Sequence, residues 1–286
     1  MRWTRRGRSA NLEDRRGQGP GRLRRGAPMS LGGILLLLVL SVLFKQDFFA
    51  LLGGVSDVAT GPAGYADPAP PPADLGAEDE QVEFVSFVLD DSQETWNRVF
   101  RGRGDDYVPA RMVLFRGEVS SACGYAAAAM GPFYCPGDQR VYLDLGFFEE
   151  LRRQFGAPGD FAQAYVIAHE IGHHVQGLLG VESQVRRLQE RHPDQANELS
   201  VRMELQADCF AGVWGHSTAQ RSILERGDVE EGLRAAAAIG DDRIQQMSGR
   251  GVNPESFTHG SSEQRVSWFR RGLESGDPER CDTFGG

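Results

Sequence analysis

His169 and His173 stand four residues apart with Glu170 directly after the first, giving the spacing His-Glu-x-x-His. On an α-helix, residues four apart share a face, so the two imidazoles can reach one tetrahedral zinc ion at about 2.0–2.1 Å. Glu170 then projects beside the ion, where its carboxylate can take a proton from a water molecule. The chemistry this arrangement suits is amide hydrolysis, and it requires the segment to be helical. Phe161, Ala164, Tyr165, Ala168, Ile171, Gly172 and Val175 recur at three- and four-residue spacing, which predicts a helix over 160–179 buried along one face. Asp160 is the expected N-cap and Gly180 the expected stop. The plainer reading is a half-buried helix with surface histidines, but two His and a carboxylate have little reason to occupy so apolar a helix.

A catalytic zinc takes a third protein ligand and keeps one open position. Glycine and histidine three and six residues beyond the second ligand would complete a longer zinc motif, but Gln176 and Leu179 occupy those places. The third ligand is therefore expected further along the chain. Glu204 is the best candidate, because Leu205, Cys209, Ala211, Gly212 and Val213 predict a second buried helix and Asp208 follows Glu204 by one turn. Asp208 can then accept the free ring N–H of a ligand histidine, fixing its tautomer and raising its basicity. Glu198 and Asp194 compete as ligands, but neither has a carboxylate one turn later. A surface carboxylate pair on an amphipathic helix is the alternative for this segment.

His-Glu-x-x-His followed by a helix carrying Glu-x-x-x-Asp resembles the gluzincin peptidases. The run from Glu204 to Trp214 is similar, more closely, to the bacterial "putative neutral zinc metallopeptidase" family. Segments around Cys123, Cys135, Arg140–Leu145 and His259–Arg265 extend the resemblance, from about residue 78 to the C-terminus. It implies a zincin-like peptidase fold with one Zn²⁺ per chain on His169, His173 and Glu204, with Glu170 as base. In integral-membrane gluzincins a similar His and a downstream Arg lie near the active site. That likeness implies that His259 and Arg265 stabilise the tetrahedral oxyanion by donating hydrogen bonds. Ser261 and Gln264 also fit a capping box opening a helix over 262–273, so a capped helix with a surface His259 and a structural Arg265 remains the other reading. His174, one residue past His173, points about 100° away and is expected to pack or support.

Residues 1–28 hold nine Arg against Glu13 and Asp14 and have no aliphatic periodicity, so they read as a disordered basic arm. Residues 29–52 are almost unbroken apolar or small residues apart from Lys45-Gln46-Asp47, about 24 residues and enough to cross a bilayer. A basic flank stays cytoplasmic, which exports the residues downstream of the apolar stretch. The expectation is an uncleaved single-pass anchor with the catalytic domain extracytoplasmic, and a cleaved signal peptide is the rival. Residues 53–77 are Gly- and Pro-rich and read as a linker. The chain carries −9 overall and the arm +7, which leaves −16 for the rest. So acidic a remainder argues against nucleic acid as its partner.

Residues 78–286 suit one domain with a sizeable core. The pattern predicts helices near 80–100, 147–154, 160–179, 182–191, 197–216, 228–247 and 262–273, and strand material at 112–119 and 140–145. The fold class is α+β, helix-predominant with a small sheet. All four cysteines lie in this part, where disulfides persist after export. Cys123 and Cys135 flank a Gly/Ala-rich loop, so they are expected to pair, leaving Cys209 to Cys281. Four cysteines still permit three connectivities. The functional expectation is an extracytoplasmic zinc endopeptidase acting on protein or peptide substrates. The alternative is a catalytically idle zinc-bound domain that binds a cell-envelope partner. A further expectation places substrate along either 140–145 or the loop from Cys123 to Cys135, since a peptide can add to a sheet edge.

Overall fold

The computed structural model describes residues 1–17, 78–128, 131–249 and 251–285. The expected anchor over 29–52, the linker over 53–77 and residues 18–28 of the arm lie outside the described residues. Among the described residues no helix is long and apolar enough to cross a membrane.

The first strand corrects the reading of the arm. Leu12–Asp14 form β1, which pairs in parallel with β2 at Arg111–Phe115. Among the described residues, Arg2, Arg5, Arg8, Arg15 and Arg16, which read as unpaired charge, find acids in the fold. Arg16, almost fully buried, donates to Asp14 and, at 2.7 Å, to Glu78, and Arg8 donates to Asp79 at 2.8 Å. The α-ammonium of Met1 docks on Asp160 at 2.7 and 2.8 Å and on Asp228 at 3.3 Å. Residues 1–17 are thus part of the domain, and Arg16–Glu78 holds together the two points between which 18–77 depart and return.

After Glu78 comes α1 (Asp79–Arg103), acidic in its first turn, basic in its last and closed by left-handed Gly104. Past β2, a hairpin of β3 (Glu118–Ser121) and β4 (Gly124–Ala127) stands apart as a two-stranded sheet. β5 (Phe133–Cys135) and β6 (Arg140–Asp144) complete the main sheet in the order β1-β2-β6-β5, parallel except for β5 on β6. The remaining helices are α2 (Gly146–Arg153), α3 (Asp160–Leu178), α4 (Val181–Arg191), α5 (Ala196–Gln220), α6 (Asp228–Ala238), α7 (Asp241–Met247) and α8 (Ser262–Ser275). The domain is helix-rich α+β, as expected. Three details differ. β1, β5 and the hairpin carry too few residues for a periodic signal. The N-cap of α3 is Gly159, with Asp160 its first helical residue and a partner of Met1. The expected helix over 228–247 breaks at Gly240, whose extended backbone brings it so close to Ser262 that a Cβ would overlap the Ser262 amide.

α3 and α5 form the centre. Gly172 of α3 lies against the backbone of Ala207 of α5, where a side chain would be tight, and this close approach sets His169 and His173 opposite Glu204. Gly272 of α8 meets the Cys209 carbonyl of α5 even more closely, leaving no space for a Cβ, and brings Arg265 over Asp208. Asp91 of α1, buried, accepts from Trp214 Nε1 and Arg221 Nη2, each at 2.8 Å, and ties α1 to α5. Disulfides join Cys123 to Cys135 and Cys209 to Cys281, in the expected pairing.

Candidate metal centre and cleft

α3 presents His169 and His173 on one face, and α5 presents Glu204 to both. Glu204 Oε2 lies 3.1 Å from His169 Nε2, and Oε1 lies 3.4 Å from His173 Nε2. Ligand atoms at about 2.0–2.1 Å from a tetrahedral zinc stand roughly 3.3 Å from one another. Both distances from Glu204 fit the spacing that one such ion needs, and among the described residues His169, His173 and Glu204 form a cluster that could hold one. Burial opposes charge on Glu204, but the imidazoles of His173 and His169 outweigh it and hold its carboxyl well below the usual carboxylate range. The ligand is thus ready as the anion a metal requires. Of its sequence rivals, Glu198 pairs with Arg202 on the exposed face, and Asp194 is exposed in a short 3₁₀ turn.

Each imidazole is held from behind, as ligand histidines are. His169 Nδ1–H donates to Asp208 Oδ1 at 2.8 Å, the role expected of Asp208. His173 Nδ1–H donates to Gln176 Oε1 at 2.8 Å. Asp208 is completely buried and also accepts from Tyr165 Oη and from Arg265 Nε and Nη2, both at 2.9 Å. Burial raises the Asp208 carboxyl, and Arg265 with His169 more than reverses that, so it stays ionised. Arg265 is 2% exposed. Its guanidinium donates to Asp208, the support of His169, and through Nη1 to the Ile239 carbonyl at 3.2 Å, while it also lines the cleft.

Glu170 is buried at the cleft, and burial pushes its carboxyl up from the usual value. A base that is slightly less acidic than an ordinary Glu is better matched to taking and returning a proton near neutrality. His259 lines the same cleft from the loop before α8, whose capping box between Ser261 and Gln264 is present. Asp241, at the start of α7, organises that loop: its Oδ2 accepts from the backbone N–H groups of Thr258, His259 and Gly260 at 2.7, 2.6 and 3.1 Å. Its Oδ1 accepts from His259 Nδ1 at 3.2 Å. The hydrogen bond to Asp241 raises the His259 pKa and favours the imidazolium, in which Nε2–H is also a donor. Asp241→Asn should therefore move the alkaline limb of any activity that uses His259 to lower pH, with the acid limb unchanged. A pH profile of kcat/KM reads this directly, and an unmoved alkaline limb removes His259 from the reaction.

The cleft measures about 530 Å³ and is walled by Phe133, Tyr134, Phe147, Phe155 and Ile244. Its sheet edge is β5, at the Cys135 end of the disulfide-closed loop. β6, the other expected edge, is interior, between β2 and β5. His174 does the packing expected of it: its Nε2–H donates to the Val108 carbonyl at 2.6 Å, and its ring packs against Tyr107 and Tyr134, holding β5 near α3. Sequence reasoning misses Tyr165, Gln176 and Asp241 as supports of the site. Tyr165 is within its reach, since it precedes His169 by one turn on the same face.

The profile of the family described as "Putative neutral zinc metallopeptidase" matches residues 1–284. The chain belongs to this family. The match takes in β1 and the rest of residues 1–17 as well as the metal centre. "Uncharacterized protein YpfJ" of Escherichia coli K12 is 48% identical over 292 residues, covering 100% of this chain and 99% of that protein. "Uncharacterized protein Rv2575" of Mycobacterium tuberculosis H37Rv is 48% identical over 189 residues, or 62% of this chain and 63% of that one. No solved structure matches.

Proposed function

We propose that the chain hydrolyses peptide bonds in protein or peptide substrates, using one Zn²⁺ per chain held by His169, His173 and Glu204. The observation that carries this is the convergence of two Nε2 atoms on one carboxylate, at 3.1 and 3.4 Å, with Glu170 in the same cleft. Zinc at that point supplies Lewis acidity to a scissile carbonyl and to the attacking water. The chain's own residues do the rest. Glu170 takes the proton from water as its oxygen attacks the carbonyl carbon, and then delivers it to the departing amine, so the products are a carboxylate and an amine. His259, as imidazolium, donates to the developing oxyanion. β5 offers backbone groups to an extended substrate, and the aromatic wall accepts an apolar side chain.

The reading also includes work outside the cytoplasm, supported by two disulfides, Cys123–Cys135 and Cys209–Cys281. The acidic surface favours a protein substrate over nucleic acid. The reading attaches the chain to a membrane through residues 29–52, with residues 1–17, which pair with the domain, on the domain's side.

The test is peptide cleavage by the purified full chain with and without a chelator, alongside elemental analysis. About one zinc per chain is expected, with cleavage lost on chelation and restored by zinc. Glu204→Ala should lose the metal. Full zinc occupancy in Glu204→Ala would assign the third ligand elsewhere, and zinc-replete protein inert toward unfolded substrates would favour the idle, partner-binding alternative.

A further inference from the structure

His173 is oriented by a neutral amide, whereas His169 is oriented by a carboxylate, and the difference leads away from the cleft. Gln176 accepts from His173 Nδ1–H with Oε1 at 2.8 Å. Its Nε2 donates to the Met203 carbonyl at 2.7 Å and to Gln206 Oε1 at 3.1 Å. Gln206 Nε2 in turn donates to the Cys281 carbonyl at 3.0 Å. Gln176 and Cys281 are completely buried and Gln206 is 6% exposed, so water cannot replace a misdirected bond at the core of this chain.

Such a relay has a direction, and its ends determine it. A carboxamide presents an acceptor at one end and donors at the other, whereas a backbone carbonyl only accepts. The Cys281 carbonyl therefore requires the NH₂ of Gln206, which turns Oε1 of Gln206 toward Gln176. Gln176 must answer with its own NH₂, as the Met203 carbonyl also demands, and its Oε1 is left facing His173. A ring nitrogen facing Oε1 has to carry the proton. His173 is thereby fixed as the Nδ1–H form, with the Nε2 lone pair on the side of Glu204.

We propose that Gln176 and Gln206 are positioning residues for the metal ligand His173, and that the Cys209–Cys281 disulfide sets the direction of the relay by holding the Cys281 carbonyl in place. The C-terminal turn, Pro278–Cys281, comes 105 or more residues after His173 in sequence yet reaches it through only two side chains. Reduction of this disulfide by a dithiol, which supplies two electrons and two protons and leaves as its own disulfide while Cys209 and Cys281 become thiols, releases the carbonyl, lets Gln206 reverse and loosens the zinc ligand. The inference rests on the metal reading above and adds to it a redox sensitivity of metal affinity.

The experiment measures zinc affinity of the full chain by competition with a chromophoric chelator, and the His173 ring N–H signal of the zinc-loaded protein by ¹⁵N-edited NMR. Removal of outer partners of metal ligands typically costs about 10–100-fold in affinity. Gln176→Leu should fall in that range. Gln206→Leu should weaken zinc about tenfold, the lower end of that range, and speed exchange of the His173 N–H with water. Cys209→Ser/Cys281→Ser should behave like Gln206→Leu, whereas Cys123→Ser/Cys135→Ser should leave zinc affinity unchanged. If the Cys209/Cys281 variant does not fold, the Gln206 variant alone decides. Wild-type affinity and an unaltered N–H signal in folded Gln206→Leu would overturn the relay, as would wild-type affinity in folded Gln176→Leu. A wild type that takes up no zinc would instead overturn the metal reading itself.

Discussion

Glu170→Gln is expected to bind zinc as the wild type does and to hydrolyse peptides roughly 10²–10⁴-fold more slowly, the range lost when a positioned general base is removed. The amide is nearly isosteric with the carboxylate and leaves His169, His173 and Glu204 untouched, so metal content should not change. Gln cannot accept the water's proton or return it to the amine. The loss should therefore appear in kcat with little change in KM, as for a group acting on the transition state. Cleavage within a few-fold of wild type would exclude Glu170 as base. A parallel loss of zinc would mean that its charge is needed to hold the metal.

The largest structural effect is expected at Asp208. Its carboxylate is the single acceptor for Arg265 Nε, Tyr165 Oη and His169 Nδ1–H, all within the core. Asp208→Ala leaves the Arg265 guanidinium buried beside a cavity. Breaking a buried pair by removing one partner costs about 3–5 kcal/mol, or a fall of roughly 10 °C in Tm for a domain of this size. Asp208→Ala/Arg265→Met should be more stable than Asp208→Ala alone, because no charge is then stranded. Thermal melts of the two variants check this, and a single variant as stable as the wild type would mean that water reaches Arg265. The pH dependence of stability comes from the same pair. The folded-state pKa of Asp208 is depressed, so its contribution is fully present above the unfolded value of about 3.9 and is lost as pH falls through the lower folded value. Asp208→Asn should flatten the acid limb of a stability profile.

The metal centre is largely legible in the sequence because its logic is helical. His169, His173, Glu204 and Asp208 are each related to a partner by one turn, and that spacing survives in any context where the helices form. What escapes depends on contacts between elements. Gln176 and Gln206 are ordinary polar residues until the Cys281 carbonyl gives their amides a direction. Asp241 lies inside what reads as one continuous helix, and it becomes a loop organiser only because Gly240 lets Ser262 approach. Arg265 has the expected neighbourhood, lining the cleft, but sequence spacing cannot reveal that its guanidinium also bonds Asp208. The arm misleads for a similar reason: Arg8 and Arg16 look like solvated charge until Glu78, Asp79 and Asp14 are brought beside them.

β1 also has a consequence for the order in which the molecule assembles. Its pairing surface, β2, follows it by about a hundred residues of sequence. Closing so long a loop costs more entropy than any local contact in the domain, and parallel pairing at that separation is slow. α3, α5 and α8 can pack the metal centre while the β2 edge still waits for its neighbour. For that interval Arg111–Phe115 presents an open, apolar strand edge, the kind of surface that recruits another copy of itself. Chains lacking residues 1–17 should therefore reach a folded metal centre and yet be lost to aggregation, because the strand that covers the β2 edge is missing.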